Sequence, residues 1–231
     1  MSRDDAEAIA VAILARAPLP GAVKTRLAFM LGVDGAAELE ARLIKRTVEL
    51  AIEADVGPIT LWVTPGEQHP LFGELAADGA LGLAQQPEGD LGSSIYAAAL
   101  AAGGPVLVVR TDCPVLTAQH LRDAADVLRT EAEAVIIPSE EGSYIAIGMR
   151  EAEPLLFRDM VWNSDRVLVE TRRRLSQLGL SWREPAQVWE VDRPTDVRRM
   201  RREGLGSLLV GIDHSPISMA EQFAMSATPA A

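Results

Sequence analysis

Four separate stretches carry the residue types that handle charged ligands. "ARAPLPGAVKTRLA", Ala15 to Ala28, puts two prolines, Gly21 and the cations Arg16, Lys24 and Arg26 directly after an apolar run. "PEGDLGSS" supplies Gly89, Asp90, Leu91 and Gly92, "TDCP" supplies Asp112, and "VDRPTD" supplies Asp192. Cations and backbone N–H groups at a helix start suit phosphates. Two carboxylates from distant segments suit a hard divalent cation such as Mg2+ or Mn2+. A nucleoside di- or triphosphate carried with a metal needs both sets. Each piece alone also has a plain reading. Cations after a strand are ordinarily surface charges, Asp112 fits a turn before Pro114, and Asp192 fits the lead into a helix near Pro194. The loop has neither the GxxxxGK[ST] spacing nor a GxGxxG fingerprint. His69, His120 and His214 are scattered, and Cys113, the only cysteine, reads as a small buried filler.

The elements that must position these residues follow from hydrophobic spacing. "AIAVAILA" reads as a buried strand over 8–15, "PITLWVT" as a second and "LGLAQQ" as a weaker third. "PVLVVR", 105–110, is a fourth, expected to lie parallel to the first and next to it or nearly so. "AEAVIIPS" and "SYIAIGM" are two further strands around Gly142, and "VWEV" is a short last one. Helices are expected from about Met30 to Ala54, at "HPLFGELAADG", at "SIYAAALAAGG", from a Thr117 cap, from a Ser164 cap, and at "RPTDVRRMRREG". Strands alternating with helices indicate a mostly parallel sheet covered on both faces. Ligands of such sheets bind beyond the carboxyl ends of the strands, which is where all four stretches fall. One domain is expected over 1–204, with 205–231 as a C-terminal extension.

Composition narrows the class of partner. The chain has 231 residues and a net charge of −11, which disfavours nucleic acid. Ser164 to Glu203 reverses the trend, with ten arginines against seven acids, which fits the solvated faces of two helices or, alternatively, a partner-facing or phosphate-facing patch. No window is apolar enough for a membrane span. The acidic start "MSRDDAEA" does not read as a signal peptide, so a cytoplasmic setting is the default.

The stretches "ARAPLPGAVKTRLA", "GDLGSSI", "TDCPVL", "EEGSYIAIGM", "MVWNSDRVLVETRRRLSQLGL" and "VDRPTDV", in that order, resemble a family of bacterial glycosyltransferase-like proteins of the DUF2064 type. That family is similar to the nucleotide-diphospho-sugar transferases of GT-A fold. More distantly the chain is similar to nucleotidyltransferases such as the cytidylyltransferase of isoprenoid synthesis. The resemblance implies a three-layer α/β/α Rossmann-like sandwich. It implies that Lys24, Arg26, Arg16 and the backbone around Gly21 face the nucleotide phosphates; independently of the resemblance, Lys24 is expected to be exposed in the ligand-free protein. Gly89, Asp90, Leu91 and Gly92 would lie near the base. Asp112 and Asp192 would hold Mg2+ or Mn2+, with Asp112 catalytic beside Lys24 and Arg26. Glu141 and Tyr144 would line the acceptor side. The implied function is a metal-dependent glycosyltransferase taking a nucleotide sugar and a small-molecule acceptor. Transfer of a nucleotidyl group from an NTP, or nucleotide binding with little catalysis, stays open. A homo-oligomer is compatible with either.

The chain departs from the family pattern at three places. Arg110 stands where the family usually has Gly, and is expected to narrow the strand end or to contact a phosphate. "EGSYIAIGM" replaces "DGGYYLIGL", giving Glu141, Ser143 and Ile145. "WNS" replaces "WGT" at Trp162 to Ser164. These changes bear on the acceptor side more than on the nucleotide.

Overall fold

The computed structural model describes residues 7–162 and 164–212. The chain divides into two compact units, Met1–Ala17 with Ile44–Glu190 and Pro18–Leu43 with Val191–Ala231. The expected extension from residue 205 is described only as far as residue 212, and His214 lies outside the described residues.

The first unit is built on a seven-stranded sheet. In chain order the strands are β1 (Ala10–Arg16), β2 (Ile59–Thr64), β3 (Gly82–Gln85), β4 (Val106–Arg110), β5 (Ala134–Pro138), β6 (Tyr144–Met149) and β7 (Trp182–Arg183). Their spatial order is β3-β2-β1-β4-β6-β5-β7. β1 is parallel to both β2 and β4, as the sequence predicts for the "AIAVAILA" and "PVLVVR" strands. β6 runs antiparallel to β4 and β5, so the sheet is mostly parallel with one reversed strand. "VWEV" forms no strand: Val188 makes only an isolated bridge to Ser139, and the edge position goes to β7. Two residues of β7 suffice there because a parallel edge strand needs partners on one side only.

The α-helices are α1 (Ala28–Ala54), α2 (Pro70–Ala76), α3 (Leu91–Ala102), α4 (Ala118–Thr130), α5 (Val167–Leu178) and α6 (Pro194–Arg202). Side chains of α3 and α5 share a core with Ala12, Leu14, Val106, Val108 and Ile136 on one face of the sheet. Leu128 of α4 meets Leu107 and Val135 over Gly148 on the other face. That alternation along β4 follows from the two-residue period of a strand. The result is the expected three-layer α/β/α arrangement.

Helix ends explain several residues that look chemically interesting in the sequence. His69 caps α2, its ring nitrogen accepting from the Leu71 amide at 3.3 Å. Thr117 caps α4 as predicted, and His120 completes the reciprocal capping box. Ser164 is not the N-cap of α5, which begins at Val167; its hydroxyl instead accepts from the Arg166 amide one turn earlier. In the second unit, Gly32 breaks the helical path near the start of α1 with φ 72° and ψ 167°, a conformation suited to glycine.

Gly148 sits in β6 with both faces closed. An added Cβ would lie 2.5 Å from Leu107 Cδ2 and 2.7 Å from Val135 Cγ1. Gly148→Ala is therefore expected to cost about 1–3 kcal/mol through overpacking, read from denaturant unfolding. An unchanged unfolding midpoint would mean that α4 and β5 yield without strain.

Candidate functional site

The strand order reverses between β1 and β4: from β1 the chain winds outward through β2 and β3, then returns to β4 on the other side. Such a switch point opens a crevice at the carboxyl ends of the two strands. Arg16 ends β1 and Arg110 ends β4. The register pairs Leu14 with Arg110, so Arg16, two residues beyond Leu14, projects from the same face. Gln86, just past β3, pins this edge by donating to the carbonyls of Ala15 and Trp62 at 3.0 and 2.9 Å. Arg46 of α1 holds the "TDCPVL" turn by donating to the carbonyls of Pro114 and Leu116.

Arg110 is the centre of this edge. Its Nη2 lies 2.5 Å from Asp112 Oδ2 and 3.0 Å from Glu190 Oε2. Its Nη1 donates to Ser143 Oγ at 3.1 Å and to the Tyr144 carbonyl at 3.2 Å. Burial alone lowers the pKa of this guanidinium, but Asp112 and Glu190 outweigh it and raise the pKa above its ordinary value. The group stays charged. Arg110 neither merely narrows the strand end nor stands free for a phosphate; it ties β4 to the start of β6 and to Glu190.

The β5–β6 turn that brings Ser143 to Arg110 depends on Gly142. Its φ is +83°, and a Cβ there would meet the Asp165 carbonyl at 2.3 Å. The Leu168 amide donates to the Gly142 carbonyl at 2.9 Å, joining the turn to α5. Glu141, on this turn, accepts from the Ser139 hydroxyl. Tyr144 departs from the expectation: its side chain is fully buried, with its ring edge-on to Trp162 at 6.4 Å. It belongs to the core, and only its carbonyl reaches Arg110.

Asp90 is the N-cap of α3. Its carboxylate accepts from the Ser93 amide at 2.8 Å and the Ser93 hydroxyl at 2.9 Å. Burial alone raises this carboxyl, but the two Ser93 bonds outweigh it and hold the pKa below its ordinary value. Gly92 is required by packing, since a Cβ would come within 2.7 Å of Trp162 Cζ2. Beside them is a cleft of about 290 Å³, lined by Asp90, Gly92, Ser93, Tyr96, Phe157 and Arg158 among others. Leu91 begins α3 and packs against the core on that side. Gly89 and Gly21 both have positive φ, in keeping with loops that turn tightly.

The second unit contains Lys24, Arg26 and Asp192. Lys24 is not exposed. Its Nζ lies 3.4 Å from Glu40, and both side chains are nearly buried, 7 and 8% exposed. Its backbone is left-handed, φ 46°. Arg26 is exposed and paired with Asp192. Asp196 bonds back to the amides of Asp192 and Arg193 at 3.0 and 2.6 Å, which explains the "RPTD" helix start. Sequence reading passed over Asp196, although a carboxylate at the third helical position is a known cap signature. It also passed over Glu190 and read Ser143 only as a change on the acceptor side, although the unusual Arg110 was the available clue to both.

The metal expectation is tested by what surrounds the two aspartates. Asp112 has a guanidinium nitrogen 2.5 Å from one of its oxygens, and Asp192 is paired with Arg26. Among the described residues there is no group of three or more His, Cys, Asp or Glu side chains placed to hold an ion. The residues around Asp112 therefore fit a cation that the chain itself supplies better than a bound divalent ion.

Part of the arginine-rich stretch forms internal pairs. Arg172 bonds Glu184, Arg173 and Arg174 bond Glu170, and Arg199 bonds Glu203. Cys113 is buried, and burial pushes its thiol up to about 12.

Comparison with known proteins agrees with this architecture. The chain belongs to the family described as "Uncharacterized protein conserved in bacteria (DUF2064)", which it matches over residues 47–164. A search of curated proteins finds no match. Its fold is that of the nucleotide-diphospho-sugar transferases. A protein of Desulfovibrio desulfuricans G20 proposed to be such a transferase superposes with TM-score 0.73 at 22% identity, covering 94% of this chain and 95% of that one. The 4-diphosphocytidyl-2C-methyl-D-erythritol synthase of Anaerococcus prevotii DSM 20548 gives 0.54 at 10% identity, covering 86% and 96%. A CMP:2-keto-3-deoxy-manno-octonic acid synthetase complexed with CTP gives 0.51 at 11%, covering 87% and 100%. Among the described residues, no helix is long and apolar enough to cross a membrane.

Two measurements check these placements. Lys24→Met keeps the bulk but leaves Glu40 without that ion pair, so stability should fall by about 1–3 kcal/mol in denaturant unfolding. No change would mean that Lys24 faces solvent after all. The Cys113 thiol, raised from an ordinary 9.0 to about 12, stays protonated in the fold between those values while the unfolded chain ionises. Stability should therefore fall as pH rises from 9.0 towards 12. Iodoacetamide should label Cys113 only on unfolding, and rapid labelling of the native protein would contradict its burial.

Proposed function

We propose that the protein is a transferase using an activated nucleotide, with a nucleotide-diphospho-sugar donor and a small-molecule acceptor. The observation that carries this is the exposed Arg16 at the β1–β4 switch point. Among the described residues no carboxylate is paired with Arg16, whereas Lys24 and Arg26 are each paired with one and Arg110 with two. An arginine without a competing anion at such an edge is suited to a diphosphate. The cleft lined by Asp90, Gly92, Ser93, Tyr96 and Phe157 has room for the base or sugar.

In the reaction, an acceptor hydroxyl attacks the anomeric carbon of the donor. The bond from that carbon to the diphosphate oxygen breaks, and the nucleoside diphosphate leaves with the bonding pair. Arg16 stabilises the charge that collects on the leaving oxygen. The acceptor proton passes to Glu141, on the β5–β6 turn, or to water.

Incubation with a panel of nucleotide sugars and NTPs tests the reading. Release of a nucleoside diphosphate from a sugar donor supports it. Release of pyrophosphate from an NTP would instead make the protein a nucleotidyltransferase, and binding without turnover a nucleotide sensor. Arg16→Ala should weaken nucleotide binding about tenfold to a hundredfold by calorimetry, the worth of one charge-assisted contact. Because Arg16 is exposed, its melting temperature should be unchanged. Unaltered affinity would remove Arg16 from the site.

A further inference from the structure

We propose that the Arg110 guanidinium occupies the place of a divalent cation between Asp112 and Glu190, so that this edge of the sheet takes its ligand with a built-in charge. Three observations converge. The Nη2 atom lies 2.5 and 3.0 Å from one oxygen of each carboxylate. A metal bridging those oxygens would sit about 2.0–2.6 Å from each, in the volume that Nη2 fills. The guanidinium cannot swing aside cheaply, because its Nη1 also bonds Ser143 Oγ and the Tyr144 carbonyl. Moving it would leave three acceptors without that donor and the Glu190 carboxylate without that ion pair. Its charge is also permanent, since Asp112 and Glu190 reinforce the protonated form.

With both Nη atoms engaged, the guanidinium serves to offset the charge of Asp112 and Glu190 and to fix the β4 end, while the exposed Arg16 meets the anion. For its functional consequence this inference rests on the nucleotide-transferase reading. The occupancy of the site itself does not.

The probe is Mn2+ alone, followed by the loss of its free-ion electron paramagnetic resonance signal. The wild-type protein should show no uptake that is sensitive to Asp112→Asn. Arg110→Met keeps the chain length and removes the charge, so it should gain about one Mn2+ per chain, bound through Asp112 and Glu190. Adding Asp112→Asn or Glu190→Gln to that variant should abolish the gain. Wild-type uptake that Asp112→Asn removes would overturn the proposal, as would a folded Arg110→Met variant that gains nothing. If Arg110→Met does not fold, Arg110→Gln takes its place, and the wild-type measurement still decides. Nucleotide titration of the wild type, with chelator and with Mn2+, should give the same affinity. Absence of any nucleotide binding would defeat the transferase reading without touching the Mn2+ result.

Discussion

A guanidinium held 2.5 and 3.0 Å from two carboxylates must remain both charged and in place. At the carboxyl end of β4 this condition organises the surroundings. It fixes Asp112 in the turn after the strand, draws in Ser143 from the β5–β6 turn, and engages Glu190 beyond β7. Separating these charges would leave carboxylates partly buried without their partner, a larger penalty than losing a neutral hydrogen bond. The turn that delivers Ser143 depends in its own way on Gly142, whose missing Cβ lets the Asp165 carbonyl approach. A charged node and a glycine contact thus define one edge of the crevice before any ligand arrives.

The loop after β1 obeys a different constraint. Pro18, Pro20 and Gly21 make it stiff, and the sequence places Lys24 and Arg26 soon after. The second unit supplies a carboxylate for each, Glu40 for Lys24 and Asp192 for Arg26. The two pairs are unequal. Lys24 and Glu40 are shielded from water, so their attraction is little screened and exchange of partner is costly. Arg26 and Asp192 are largely exposed, 65 and 40%, so their attraction is weak and a phosphate competes well. Of two cations only one residue apart from being neighbours, one is structural and the other remains available.

Much of the fold was legible because it rests on local signals. The apolar runs of β1 and β4 are parallel neighbours as expected, and Thr117 and Pro194 mark helix starts that the sequence announces. The "VWEV" segment misled because an apolar alternation of four residues fixes neither a strand nor its partner, and tertiary pairing went to Trp182 and Arg183 instead. The site was less legible, for the same reason at longer range. Nothing near Lys24 in sequence indicates that Glu40 will bury it, and nothing near Tyr144 indicates that its ring faces Trp162 and not the crevice. Arg110 was visible as an oddity, but its partners are 33 residues away at Ser143 and 80 at Glu190 by position number.

A fixed guanidinium and a bound metal ion answer the same electrostatic problem with different consequences. A divalent ion brings two charges and open coordination positions, so it polarises a phosphate directly and leaves with the product if its affinity is low. Arg110 brings one charge, shared between two carboxylates, with its Nη donors already engaged. It therefore neutralises without offering new ligand positions. On the proposed transferase reading, the stabilisation of a departing diphosphate would come from a group that remains unspent, which at this switch point is Arg16. Division of labour between a buried, permanently paired arginine and an exposed, uncommitted one follows from their surroundings alone: the first has three acceptors and a second carboxylate around it, and the second ends its strand in water.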